Sequence, residues 1–92
     1  MERSRLRVLY SGHVQGVGFR CTVKSLATGF EVVGTIRNLS DGTVELVVEG
    51  VKSELSAFQQ AIRDSGLGRL IADEDATWSA AGGELRGFLI AG

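Results

Sequence analysis

The segment YSGHVQGVGFR, Tyr10 to Arg20, brings Gly12, Gly16 and Gly18 close together and ends on an arginine. Glycine lets consecutive backbone N–H groups converge into a concave nest, and no Cβ stands in the way of an approaching anion. If a helix begins where the loop ends, its first N–H groups are unpaired and carry partial positive charge. Phosphate is the natural guest of such a site. Arg20 stands at this junction, and its fixed fork of donors suits two phosphate oxygens at once. The spacing G-x-x-x-G-x-G matches neither the Walker A loop nor the dinucleotide fingerprint. On these residues alone two readings stay open, a phosphate cradle and a glycine-rich turn needed only for packing.

The other reactive side chains are few. His13 is the one histidine, and a lone loop histidine is more often solvated than catalytic. Cys21 cannot form an internal disulfide. Its place at a helix start can lower a thiol pKa, yet a buried or semi-buried structural thiol is the expectation. No set of Cys and His has metal-ligand spacing, so neither metal nor cofactor is expected. Asn38 follows a β-branched run and precedes Ser40-Asp41-Gly42, where it can simply border a turn.

These residues must be positioned by regular elements. Leu6, Val8 and Tyr10 alternate with Arg5, Arg7 and Ser11, which predicts a strand with one buried face. Phe19, Val23, Leu26, Ala27 and Phe30 form one helical stripe, predicting an amphipathic helix over 20–30. A strand over 32–38 and a third containing Val44, Leu46 and Val48 flank the turn and predict a hairpin. Val51, Leu55, Phe58 and Ile62 predict a second helix over 52–65, closed by Gly66 and Gly68. In 70–79 the acidic run Asp73-Glu74-Asp75 interrupts any apolar face, and the segment is read as a strand. A final strand covers 85–90. The order βαββαβ, with an extra strand, predicts an α+β ferredoxin-like sandwich: an antiparallel sheet with two helices on one face. Phe19, Phe30, Phe58 and Trp78 are expected in the core, and Arg3, Arg5 and Arg7 on the solvated face of an edge strand.

Ninety-two residues make one domain, 1–92. Hydrophobic residues at 43% and charged residues at 23% exclude a disordered chain. A net charge of −1 speaks against a general nucleic-acid binder. The third strand also lacks the aromatics that RNA-recognition sheets display, offering Thr43, Glu45, Val47 and Glu49 on one face. No secretory signal or membrane-length apolar run is present, so a cytoplasmic protein, with no membrane partner, is expected.

SGHVQGVGFR resembles the acylphosphatase signature G-x-V-Q-G-V-x-F-R. GTIRNLSDGTV, Gly34 to Val44, resembles that family's second signature, N-x-x-D-G-x-V after a strand. Arg20 and Asn38 are eighteen residues apart, as in the family pattern. The close resemblance runs from about Val8 to Gly50; beyond it the element order and the ending Phe88-Leu89-Ile90 correspond. Glu31, Thr35 and Leu39 depart from frequent family residues, the first at a helix end, the others beside the site. The resemblance implies a hydrolase that splits acyl phosphates into carboxylate and inorganic phosphate; a monomer that needs no metal is expected, and inorganic phosphate, gripped by the same loop and Arg20, is expected to act as competitive inhibitor. The resemblance also implies that the backbone of Gln15, Gly16, Val17, Gly18, Phe19 and Arg20 binds phosphate. Arg20 adds its guanidinium, and Asn38 orients the attacking water. The alternative is a catalytically weak acyl-phosphate or anion-binding module, like those at the front of hydrogenase-maturation carbamoyltransferases.

Overall fold

The structure, a computed structural model, describes residues 2–91. Five strands, β1 (Arg3–Gly12), β2 (Val33–Asn38), β3 (Val44–Val51), β4 (Ile71–Ala80) and β5 (Phe88–Ile90), form one sheet in the order β4-β1-β3-β2-β5. Helices α1 (Phe19–Ala27) and α2 (Lys52–Asp64) cover one face, and a 3₁₀ turn, Gly68–Leu70, leads into β4. In each β-α-β unit the two strands are separated by one strand of the other unit, which is the ferredoxin-like split arrangement.

Period-two patterning builds the buried face. Leu6, Val8 and Tyr10 of β1, Ile36 of β2, and Val44, Leu46 and Val48 of β3 are buried beneath the helices. Phe19, Val23 and Ala27 of α1, and Leu55, Phe58 and Ile62 of α2, close the core from above. The predicted second helix and hairpin correspond to α2 and β2–β3 within one or two residues.

Other expectations need correction. Helix α1 stops at Ala27 rather than at residue 30. The next three N–H groups, from Thr28, Gly29 and Phe30, donate to Ser25, Leu26 and Ala27, three residues back. This tighter turn still delivers Phe30 onto Phe58, with ring centroids 5.5 Å apart, so the apolar stripe outruns the α-helix. The sheet is mixed, because β5 joins β2 in parallel while all other pairings are antiparallel. Strand β1 is interior rather than an edge, with β4 and β3 on either side. Trp78 lies outside the core, 38% exposed, with the Lys52 ammonium 5.2 Å from its ring centroid.

The segment with Asp73, Glu74 and Asp75 is an edge strand, and its backbone pairing with β1 explains how it forms without an apolar face. Its inward groups reach α2 through polar contacts. Glu74 accepts hydrogen bonds from Arg63 at 2.6 Å and from Gln59 at 3.3 Å.

The face away from the helices carries an ionic ladder. Glu45 accepts from Arg7 and Arg37, both at 2.7 Å. Glu49, fully buried, accepts from Arg5 at 2.7 Å and from the backbone N–H groups of Gly82 and Gly83 at 2.8 and 3.1 Å. Burial pushes the Glu49 carboxyl pKa up, but these hydrogen bonds outweigh it and hold it below the usual range. Glu45 behaves alike, with Arg37 and Arg7 overcoming burial. Glu49 thereby fastens the segment that carries the chain from β4, on one edge, to β5, on the other.

A carboxylate with a depressed folded-state pKa stabilises the fold above its unfolded pKa of about 4.3, and that stability drains away as pH falls through the folded value. Glu49→Gln should therefore cost about 1.5–3 kcal/mol at pH 7, the range for hydrogen bonds to a charged group. The gap to wild type should narrow in urea melts at about pH 3, below the unfolded pKa. An equal gap at both pH values would show that the Glu49 charge does not stabilise this fold.

Candidate active site

The loop between β1 and α1 leaves the sheet at Gly12 and is tied down at once, because the His13 N–H donates to the Leu70 carbonyl at 2.9 Å. Val14 and Phe19, both 1% exposed, anchor its two ends in the core, and Phe19 packs on Tyr10 at 5.3 Å. Between these anchors the backbone turns through Gly16 at φ 76° and Gly18 at φ 78°. A Cβ at either position would meet no atom within 4 Å, so the demand for glycine there is conformational rather than steric. Gly18 is also the N-cap of α1 and supplies no side-chain cap.

The outcome is a row of free donors. Among the described residues, no backbone N–H from Val14 to Cys21 donates to a protein acceptor; the next, from Thr22, makes the first helical bond to Gly18 at 3.0 Å. The row includes every position expected to bind phosphate: Gln15, Gly16, Val17, Gly18, Phe19 and Arg20. Side chains sort themselves around it. Val17 points outward, 48% exposed, while Phe19 fills the core. Arg20 occupies the first turn of α1, half-buried, and forms no ion pair among the described residues.

Asn38 ends β2, where the chain turns into β3. Its Oδ1 is buried with no donor among the described residues. An acceptor in that condition needs a partner, and a water molecule is the smallest one available.

The Gln15 side chain joins the two halves. Its Nε2 donates to the carbonyls of Leu39 and Thr43, both at 2.9 Å. The turn it grips is already ordered: the Leu39 N–H bonds Thr43, and Asp41 accepts from the Thr43 N–H and hydroxyl. The sequence offered Gln15 only as a backbone donor. The two carbonyls that receive its side chain belong to a turn twenty-four and twenty-eight residues away, and no spacing announces them.

His13 and Cys21 are both exposed, so the expectation of a buried or semi-buried Cys21 is corrected. Cys21 falls on the outward side of α1, while Phe19 and Val23 on either side of it turn inward. Burial, reinforced by the Glu74 charge, pushes the Tyr10 hydroxyl pKa up, so it keeps its proton at physiological pH. A cavity of about 480 Å³ between α2 and β4 and one of about 340 Å³ beside the end of α1 are lined by residues outside this loop. The loop lies at the surface, with Gly16, Val17 and Gly18 exposed.

The acylphosphatase family model matches residues 6–90. A curated acylphosphatase of Roseiflexus sp. (strain RS-1) is 37% identical over 90 residues, covering 98% of this chain and 97% of the relative. The crystal structure of acylphosphatase from Bacillus subtilis superposes with a TM-score of 0.86 at 31% identity, covering 96% of this chain and 98% of that one. Full-length HypF, in a phosphate- and nucleotide-bound form, shares the fold at a TM-score of 0.85 and 23% identity, over 99% of this chain and 12% of its own. With a family match across nearly its whole length and a relative this similar from end to end, the chain belongs to the acylphosphatase family of acyl-phosphate hydrolases.

Proposed function

We propose that the loop and Asn38 together form the hydrolytic centre, with the phosphoryl group of an acyl phosphate held in the cradle and water delivered by Asn38. The observation that carries this reading is the donorless Asn38 Oδ1, at a strand end that the Gln15 side chain ties to a row of unpaired N–H groups. The two sets are complementary, since one binds oxyanions and the other accepts from a neutral water. The N–H groups of Gln15 to Arg20 and the Arg20 guanidinium hold the non-bridging oxygens. They stabilise the charge that those oxygens bear in the transition state. Asn38 Oδ1 accepts one O–H of the water and directs an oxygen lone pair at phosphorus. The water oxygen bonds to phosphorus, the bond from phosphorus to the acyl oxygen breaks, and the bonding pair leaves on the carboxylate. A carboxylate needs no general acid, and a phosphoryl oxygen takes the water's proton. No base from His13 or Tyr10 is required.

The fold shared with a small part of HypF favours a second reading, an anion-binding module of low activity. Release of inorganic phosphate from benzoyl phosphate by the purified protein separates the two. Turnover that persists after EDTA treatment and dialysis is expected on the metal-free mechanism, and activity lost there and restored by Mg²⁺ would reject it.

Removing one well-placed catalytic donor or acceptor costs about 10²–10³ in turnover. Asn38→Ala should lose that much kcat while binding inorganic phosphate within a few-fold of wild type, because the water is engaged mainly in the transition state. Arg20→Gln should lose phosphate binding and turnover together. Competition by inorganic phosphate, measured beside thermal melts, checks both; near-normal turnover of folded Asn38→Ala protein removes the residue from the mechanism.

Gln15→Glu should be worse than Gln15→Ala, since a carboxylate would face two carbonyl oxygens. For Gln15→Ala the expected signature is a lower kcat with KM little changed, as the cradle survives but its alignment with Asn38 loosens. An unchanged kcat in a well-folded variant would assign the Gln15 side chain to stability alone.

A further inference from the structure

A second concavity shares α1 with the cradle. Lys24, Ala27, Thr28, Phe30, Val32 and Phe88 surround a cavity of about 340 Å³ at the far end of the helix. Its walls are mostly hydrocarbon, and Lys24 adds a cation that forms no ion pair among the described residues. The carbonyls at this helix end are already paired, since those of Ser25, Leu26 and Ala27 accept from Thr28, Gly29 and Phe30. An anionic ligand with an apolar tail suits that combination better than a neutral polar one.

Strand β5, whose Phe88 lines the cavity, extends apolar surface beyond it. Strand β5 packs beside α1, and Phe88 and Ile90 pair with the buried positions Gly34 and Ile36, so both face the helix layer. Ile90 nevertheless stays 38% exposed, which leaves aliphatic surface open along β5. Because β5 runs parallel to β2, this surface leads from the cavity toward the end of the sheet where Asn38 stands. Lys24 lies one turn beyond Arg20 on the same side of α1. If water enters from Asn38 in line with the breaking bond, the acyl group must point away from Asn38.

We infer that the α1–β5 groove takes the acyl chain of the substrate, and that the preferred substrates are phosphates of medium-length, unbranched carboxylic acids. This rests on the phosphoryl group lying in the cradle as proposed above. The dimensions agree. Seven residues of helix from Arg20 to Ala27 span ~10 Å at about 1.5 Å per residue, and roughly eight to ten carbons in a zigzag of ~1.5 Å bonds cover that distance. Each methylene withdrawn from water favours binding about fourfold, so a chain only partly covered still discriminates strongly.

The test compares kcat/KM for octanoyl and acetyl phosphate. Octanoyl phosphate should be favoured by roughly tenfold or more, mainly through KM. Thr28→Trp, which fills the cavity from its exposed rim, should abolish that preference and leave acetyl phosphate turnover unchanged. Equal efficiencies in wild type, or a preference that survives Thr28→Trp, would overturn the inference. Octanoate is titrated in parallel, followed by amide NMR. If neither acyl phosphate is hydrolysed, the catalytic reading fails and this titration alone decides the groove. Saturable shifts at Ala27, Thr28 and Phe88 uphold it, and their absence removes it.

Discussion

Gln15 commits both hydrogens of its amide to carbonyls of the β2–β3 turn, and the relation between the two halves of the site depends on that pair of bonds. The cradle belongs to the first β-α unit and Asn38 to the hairpin that follows it. Sheet pairing alone does not join them, since β3 lies between β1 and β2. Glycines that grant the loop its shape also deprive it of rigidity, and Val14 and Phe19 restrain only its ends. The amide bridge adds a restraint just inside the loop, next to Val14, and ties it to the β2–β3 turn. It does so without consuming any of the N–H groups that make the nest.

The sheet's other face addresses a second geometric problem. Two glutamates among strand residues would normally argue for solvent, yet Glu45 and Glu49 are 7% and 0% exposed. Arginines on neighbouring strands cover them, and Glu49 reaches past the sheet to the backbone at Gly82 and Gly83. Pairing of this kind has a desolvation cost and is not strong evidence of stability by itself. Its effect here is also positional, because the fastened segment delivers β5 to the free edge of β2, the strand that ends at Asn38.

How much of this was legible in the sequence differs from element to element. The helices and the three inner strands carry their own apolar period, and the paired motifs around Arg20 and Asn38 pointed to one site. Strand β4 was obscure because its contacts are polar: Glu74 turns inward to Arg63 rather than presenting an apolar side chain. Arg5 and Arg7 looked like an edge because charge usually means solvent, and their acidic partners lie 44 and 38 residues away. Trp78 is expected in the core with the phenylalanines, although its ring lies beneath Lys52 at the start of α2. These three misses come from contacts between groups eleven or more residues apart, which a local pattern does not encode. The Gln15 bridge belongs to the same class.

Strand β4 spans ten residues at the end of the sheet and pairs only with β1, so its outer backbone groups form an open template for another chain. Such edges invite sheet-to-sheet growth between copies. Here Asp73 and Asp75 stand exposed on that edge on either side of Glu74, and a second molecule docking antiparallel with its register centred on this run would bring like charges together. Charge along an edge strand is the usual guard against sheet-to-sheet growth, so the residues that hide the strand from a pattern search also make its edge a poor template for another copy.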